Sequence, residues 1–415
     1  MSIICGTDLS PRSVSALEVA RALAAQRGER EVILVHVVDD EDKAAAARAA
    51  LDAFAAAAPG TTPVRAELAV GTPEDSLQTF ADTEGADLIV IAPSASPTSM
   101  FRLGSTAERL IATSRVPVIV VRDPKPWLAF ASGERPLRVL IGVDESVACD
   151  LGIQWIHALR DRGPVEVVLG RIYYPDDAAE LYGLEPGAVV DRDPVIEQLI
   201  TRDLLKKFGV DRSSGDRVTA RAQRGLGRLG DHMLELAKDA GVDAIVVGTH
   251  QKTGLGRLGS VSTVVVHDAT QSVVCVPPNA PIPTLQVPRL TSALVATDLS
   301  SFANRAVPFA FALTDDGGEV HIAHVVEDDA ELDEVETKRQ LLALAPTGMK
   351  RQVSAHILRG GDAAKTIAQA AARVGVDAIC IASHGRSGIT RALVGSVADK
   401  LLRETRKPVL VLRPA

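Results

Sequence analysis

The chain states one pattern three times. Ile4-Cys5-Gly6-Thr7-Asp8-Leu9-Ser10, Ile141-Gly142-Val143-Asp144-Glu145-Ser146 and Val295-Ala296-Thr297-Asp298-Leu299-Ser300 open three segments alike. Toward the end of each segment Gly104-Ser105, Gly259-Ser260 or Gly395-Ser396 opens a helical stretch. An apolar run then follows, Val118 to Val121, Val273 to Val276 or Val409 to Leu412. Such self-similarity makes each copy one folding unit on a common plan. At 415 residues the chain is too long for one ordinary core but suits several small ones.

Each copy alternates in the same way. A β-rich run (Val32 to Val38, Val165 to Tyr173, Val320 to Val326) precedes a polar or Ala-rich stretch. A third strand then ends at Gly71, Gly225 or Gly360, and a last apolar run follows Asp87, Asp243 or Asp377 after a helical segment. Short apolar runs between helical patterns read as successive βαβ units. The expected class is therefore α/β: three tandem, five-stranded, mostly parallel, doubly wound, Rossmann-like domains. Aromatics make up only 3% of the residues, so Val, Ile, Leu and Ala must fill the cores, which suits parallel strands covered on both faces.

The domains are expected at 1–123, 137–278 and 290–415. Asp123 to Pro136 carries three prolines and Pro277 to Pro288 is richer still, so both read as semi-rigid spacers without structure of their own. The middle copy alone has an insertion at 174–194 after its second strand, readable as a lid over the carboxyl edge of the sheet or as a surface loop.

The net charge of −8 offers no electrostatic footprint for nucleic acid. No apolar run approaches the roughly 18 residues of a membrane helix. Met1-Ser2 leads directly into Ile3-Ile4 without a basic leader, so a cytoplasmic location is expected. Cys5, Cys149, Cys275 and Cys380 form no CxxC pair, and three of them fall in expected strands. They read as small hydrophobes in a reducing compartment.

The richest chemistry follows the apolar run Ala378 to Ile381, in Ala382-Ser383-His384-Gly385-Arg386-Ser387-Gly388 and then Gly395-Ser396-Val397. Glycines let backbone N–H groups reach phosphate oxygens, and a helix start adds unpaired N–H donors and a positive dipole end. Ser396 offers a hydroxyl and Arg386 a charge. A capped helix after a plain loop is the competing reading of the same residues. Asp298 favours the anion site, because a carboxylate at the end of the first strand can accept from ribose hydroxyls or an adenine amine. It can equally serve as a helix cap.

On these residues the third copy resembles the ATP-binding members of the universal stress protein family. That family's phosphate signature is Gly, two residues, Gly, nine residues, Gly, then Ser or Thr. This chain has Ala382, two residues, Gly385, nine residues, Gly395 and Ser396, with the family's His at His384. The resemblance implies a nucleotide site formed by Ala296, Thr297, Asp298, Val325, Ala382, His384, Gly385, Arg386, Gly388, Gly395, Ser396 and Val397. It implies ATP or a related adenine nucleotide as ligand, with magnesium admissible beside its phosphates. It also implies a stress-response role and pairing of domains through their last strands. Two copies are then expected to pair within the chain, leaving the third to form a homodimer.

The other copies depart from the signature. The middle one keeps Asp144 and Gly248, has Gln251 for the second glycine, and is two residues short; Gly254, Gly256, Gly259 and Ser260 would have to complete a second site. The first has Pro93 and Pro97 where N–H donors are needed and no glycine before Gly104, and reads as a pseudo-site. Gly225-Leu226-Gly227-Arg228-Leu229-Gly230 matches a dinucleotide fingerprint but follows a third strand, not a first.

No catalytic residue is assigned. His36, His321 and His324 lie in or beside second strands and read as hydrogen-bonded core residues. A scaffold acting through protein contacts and an adenylyl-transferring enzyme are the alternatives. The enzyme would need a His-x-Gly-His or Ser-Gly-Gly-x-Asp motif that Asp8-Leu9-Ser10-Pro11 and its counterparts lack.

Overall fold

The computed structural model describes residues 2–93, 104–185, 193–210, 217–249, 261–281, 290–348, 350–383 and 395–413. The first copy contains β1 (Ser2–Thr7), α1 (Pro11–Arg27), β2 (Val32–Val38), α2 (Ala44–Ala57), β3 (Val64–Val70), α3 (Pro73–Thr83), β4 (Ala86–Ile91), α4 (Ser105–Thr113) and β5 (Val118–Val120), then α5 (Lys125–Ala131). The second has β6 (Leu137–Gly142), α6 (Val147–Arg160), β7 (Val165–Tyr173), α7 (Pro175–Tyr182), α8 (Pro194–Phe208), β8 (Val218–Arg224), α9 (Leu229–Ala240), β9 (Ala244–Gly248), α10 (Val261–Asp268) and β10 (Ser272–Val276). The third has β11 (Ser292–Ala296), α11 (Ala306–Leu313), β12 (Glu319–Val326), α12 (Glu334–Ala343), β13 (Gln352–Arg359), α13 (Ala363–Val374), β14 (Ala378–Ala382), α14 (Ser396–Glu404) and β15 (Val409–Leu412).

The chain forms two packing units. One, Met1–Tyr173 with Asp203–Gln286, is built on a ten-stranded sheet ordered β3-β2-β1-β4-β5-β10-β9-β6-β7-β8. All its neighbours run parallel except β5 and β10, which pair antiparallel at Val118–Cys275, Ile119–Val274 and Val120–Val273. The last strands of the first two copies thus meet within the chain, as the sticky apolar edges require. Arg122 seals the seam, taking its backbone N–H to Ser272 Oγ (3.1 Å) and its guanidinium to the Val266 carbonyl (2.7 Å). A single apolar core runs beneath both halves, from Ile4, Ile33 and Leu110 to Leu140, Val168, Leu236 and Val273.

The stretch after β5 departs from the spacer expected there. It folds into α5, with Trp127 and Phe130 fully buried. Pro126 lies in the first turn of this helix, where its missing N–H costs nothing. The two aromatics, three residues apart, fall on one face and pack α5 against α1.

The other unit, Tyr174–Arg202 with Val287–Ala415, holds a five-stranded parallel sheet ordered β13-β12-β11-β14-β15. Its two faces are filled separately: Leu294, Ile367, Ile379 and Leu401 on one side, Val295, Phe311, Ile322 and Leu341 on the other. The insertion therefore packs with the third copy. Its first part is not a plain loop but the helix α7, which buries Ala178, Ala179 and Tyr182.

Candidate nucleotide-binding site

In the third copy the chain runs β11, β12, β13 outward and returns to β14 on the other side of β11, so β11 and β14 flank the reversal of strand order. Ligands bind open α/β sheets in the crevice at such a point. Ala296 pairs with Ile381, which brings Thr297 and Asp298 level with Ala382 and Ser383 at the carboxyl edge.

A tight turn presents Asp298. The next residue, Leu299, has φ of +66°, a left-handed conformation costly for a side-chain-bearing residue. Short bonds hold it there. Buried Thr297 accepts the Leu299 N–H on its hydroxyl (3.0 Å) and donates that hydroxyl to Asn304 Oδ1 (2.7 Å). Asn304 Nδ2 donates to the Leu299 carbonyl (3.2 Å), and Asp298 Oδ1 accepts the Ser300 N–H (2.9 Å). His324, at the end of β12, donates from Nδ1 to the Thr297 carbonyl (2.8 Å). The Asp298 residue itself is exposed.

Across the reversal stands the start of α14. Gly395 is its N-cap and supplies no side-chain bond, whereas Asp333 and Asp362 cap α12 and α13 with their carboxylates. The first turn of α14, containing Ser396 and Val397, thus has no carboxylate cap on its N–H groups, a helix start at which an anion can bind; Asp399 in the same turn is paired with Arg403 (2.8 Å). Buried Ser383 fixes this start in place: its Oγ accepts the Gly395 N–H at 2.6 Å. Val325 lies in β12, two residues beyond the Ala296–Ala323 pair, partly buried against the core. His384, Gly385, Arg386 and Gly388 lie outside the described residues, as do Gly254, Gly256, Gly259 and Ser260 of the second copy.

The first copy builds the same turn. Leu9, at φ +61°, is the other non-glycine residue with positive φ among the described residues. Thr7 Oγ1 accepts the Leu9 N–H (2.9 Å), and His36 Nδ1 donates to the Thr7 carbonyl (2.9 Å). Burial would raise the pKa of Asp8, but hydrogen bonds from Ser10 and Ser13 outweigh it and hold the carboxyl below its usual range.

The second copy differs. Val143 replaces the threonine and Glu145 the leucine, so the turn has neither the hydroxyl bracket nor the positive φ. Asp144 Oδ1 accepts from both the backbone N–H and the hydroxyl of Ser146 (2.8 and 2.5 Å). Lys207 of α8 reaches in, donating to the Asp144 carbonyl (2.9 Å) and pairing with Glu145 (3.2 Å) and Asp150 (2.9 Å). Arg171 pairs with Glu145 as well (3.3 Å). Burial pushes Glu145 up, but these two cations more than offset it and leave its pKa lowered. Gly248 is tightly packed: a Cβ there would lie 2.8 Å from the Ala148 backbone. Gly230 of the fingerprint-like run is likewise a packing glycine, its Cβ position 2.4 Å from Val264.

A family model described as the universal stress protein family matches residues 1–122, 137–277 and 291–413. The chain belongs to the universal stress protein family. Similar solved structures include three universal stress proteins. A universal stress protein from Archaeoglobus fulgidus is 18% identical, with 67% of this chain and 98% of that chain covered, at a TM-score of 0.44. One from Lactobacillus plantarum is 23% identical, with 29% and 97% covered, at 0.24. One solved in complex with cAMP is 20% identical, with 31% and 99% covered, at 0.26. No curated protein matches the chain.

Within this three-domain member of the family, the third copy brings Asp298 and the Gly395-Ser396 helix start to one edge. Sequence reasoning named Thr297 but gave no role to Ser383 and did not foresee the bracket that Thr297 forms with Asn304 and His324. One signal was available: His36 and His324 stand at matching positions in two copies, and Arg171 at the third. All four thiols are buried, and burial pushes Cys5 and Cys275 up to about 12 and Cys149 and Cys380 up to about 11, which leaves them chemically inert at neutral pH. No helix among the described residues is long and apolar enough to cross a membrane.

Proposed function

We propose that the third copy holds ATP or a related adenine nucleotide and that the protein works as a nucleotide-dependent binding module in a cellular stress response. The observation that carries this reading is the meeting, at the strand-order reversal of one sheet, of a rigidly presented carboxylate and a helix start lacking an acid cap. Asp298 would accept from the ribose or base, the backbone near Val325 would line the base, and Gly395, Ser396 and the loop before them would cradle the phosphates. Magnesium would enter bound to those phosphates. In the second copy, the ion cluster around Lys207 already engages the Asp144 turn, so we propose that it contributes less to binding than the third.

Domain pairing supports a further part of this reading. The last strands of the first two copies satisfy each other, while β15 is the edge strand of its sheet. A second copy of the chain, pairing β15 with β15, would cover that edge and give a homodimer.

Thermal unfolding with and without ATP tests the nucleotide reading. At micromolar affinity, millimolar ATP stabilises the binding domain by about 4 kcal/mol. Asp298→Ala is expected to remove most of that shift. Equal shifts in wild type and variant would remove Asp298 from the site.

A further inference from the structure

The insertion of the second copy is seated on a helix of the third. Glu180 of α7 pairs with Lys365 of α13 (2.7 Å), and Gln369 Nε2, one turn along, donates to the Glu180 carbonyl (3.0 Å). At the far end of α13, Arg202 of α8 donates to the carbonyls of Ala372 (2.7 Å) and Arg373. A helix leaves these last carbonyls without internal partners, and a cation there also meets the negative end of its dipole. Gly375 makes the approach feasible: it has φ +81°, and a Cβ would lie 2.6 Å from Arg202 Cζ. The opposite face of α13 is committed to the core through Ala364, Ile367 and Ala371.

From α13 the contacts continue to α14. Lys400 of α14 bonds the Asp362 carboxylate, and the other oxygen of that carboxylate caps α13 at the Lys365 N–H. Charges thus alternate across three helices, from Glu180 through Lys365 and Asp362 to Lys400. The last helix is the one whose start, Gly395-Ser396, is the phosphate end of the candidate site.

We propose that α7, together with Arg202 of α8, is a regulatory strap of the third-copy site, its docking on α13 and nucleotide occupancy at the start of α14 favouring one another. The proposal rests on the nucleotide reading above. A ligand bonded to the first N–H groups of α14 favours the position of α14 that α13 supports, and such coupling is reciprocal. The strap follows directly on β7 in the chain, and Asp203 resumes the other packing unit.

Hydrogen exchange by mass spectrometry on the full chain, with and without ATP, tests this alongside calorimetric Kd values. The probe variant combines Glu180→Ala, Gln369→Ala and Arg202→Ala. Wild-type α7 should exchange more slowly when ATP is present. The variant should lose that response and bind ATP at least about fivefold more weakly. Arg202→Lys in place of Arg202→Ala should recover part of the affinity. If the combined variant fails to fold, Gln369→Ala alone should show a smaller loss in the same direction. Wild-type ATP binding with unchanged α7 exchange, or equal Kd in wild type and variant, would overturn the strap while leaving the nucleotide site standing. No ATP binding by the wild type would overturn both.

Discussion

Glycine and its near equivalents carry different duties at matching positions of the three copies. At the end of the fourth strand the second copy has Gly248 and the third Ala382. The signature makes Gly248 look like the better phosphate contact. Its surroundings give it another task, since the Ala148 backbone occupies the space a Cβ would need. Gly248→Ala is therefore expected to cost about 1–3 kcal/mol by overpacking. The loss should be equal with and without ATP in denaturant titrations; a variant as stable as wild type would mean the backbone there yields freely. The Asp298 turn shows a related gap between motif and geometry. Thr-Asp-Leu-Ser could be read as a strand end and helix cap, but nothing in the order of residues announced a leucine at φ +66°. That conformation depends on Thr297, Asn304 and His324 arriving together from separate elements, and tertiary bracketing of this kind has no local signature.

Elements show which signals the sequence transmits well. The alternation of strands and helices followed from apolar period and repeat, because buried parallel strands leave near-continuous apolar runs. α5 was hidden by its prolines, although the Trp127 and Phe130 spacing was there to be weighed against them. Trp127→Ala should cost about 3–5 kcal/mol as a large core truncation. Trp127→Phe should cost less than about 1.5 kcal/mol, because the indole N–H is buried without a partner and its loss leaves nothing unpaired. Chemical denaturation of the two variants checks this, and equal costs would show that the N–H is bonded after all. The seat of α7 was beyond sequence reasoning for a different reason. It depends on one ion pair, one hydrogen bond from a glutamine amide, two alanines and a tyrosine, none of which stands out from an ordinary helix surface.

At the scale of the molecule, an odd number of copies sets the problem. Two pair through β5 and β10, and the five-stranded sheet of the third copy ends at β15 with four apolar residues, Val409 to Leu412. Multi-angle light scattering is expected to find a dimer at tens of micromolar, and a monomer there would refute pairing through this edge. The central claim, an adenine-nucleotide site in the third copy, is tested most directly by titrating the full chain with ATP in a calorimeter. We expect saturable micromolar binding that Gly395→Val abolishes by placing a branched side chain at the start of α14, the variant remaining folded. Absence of binding by wild type for every adenine nucleotide tried, or undiminished binding by Gly395→Val, would contradict it.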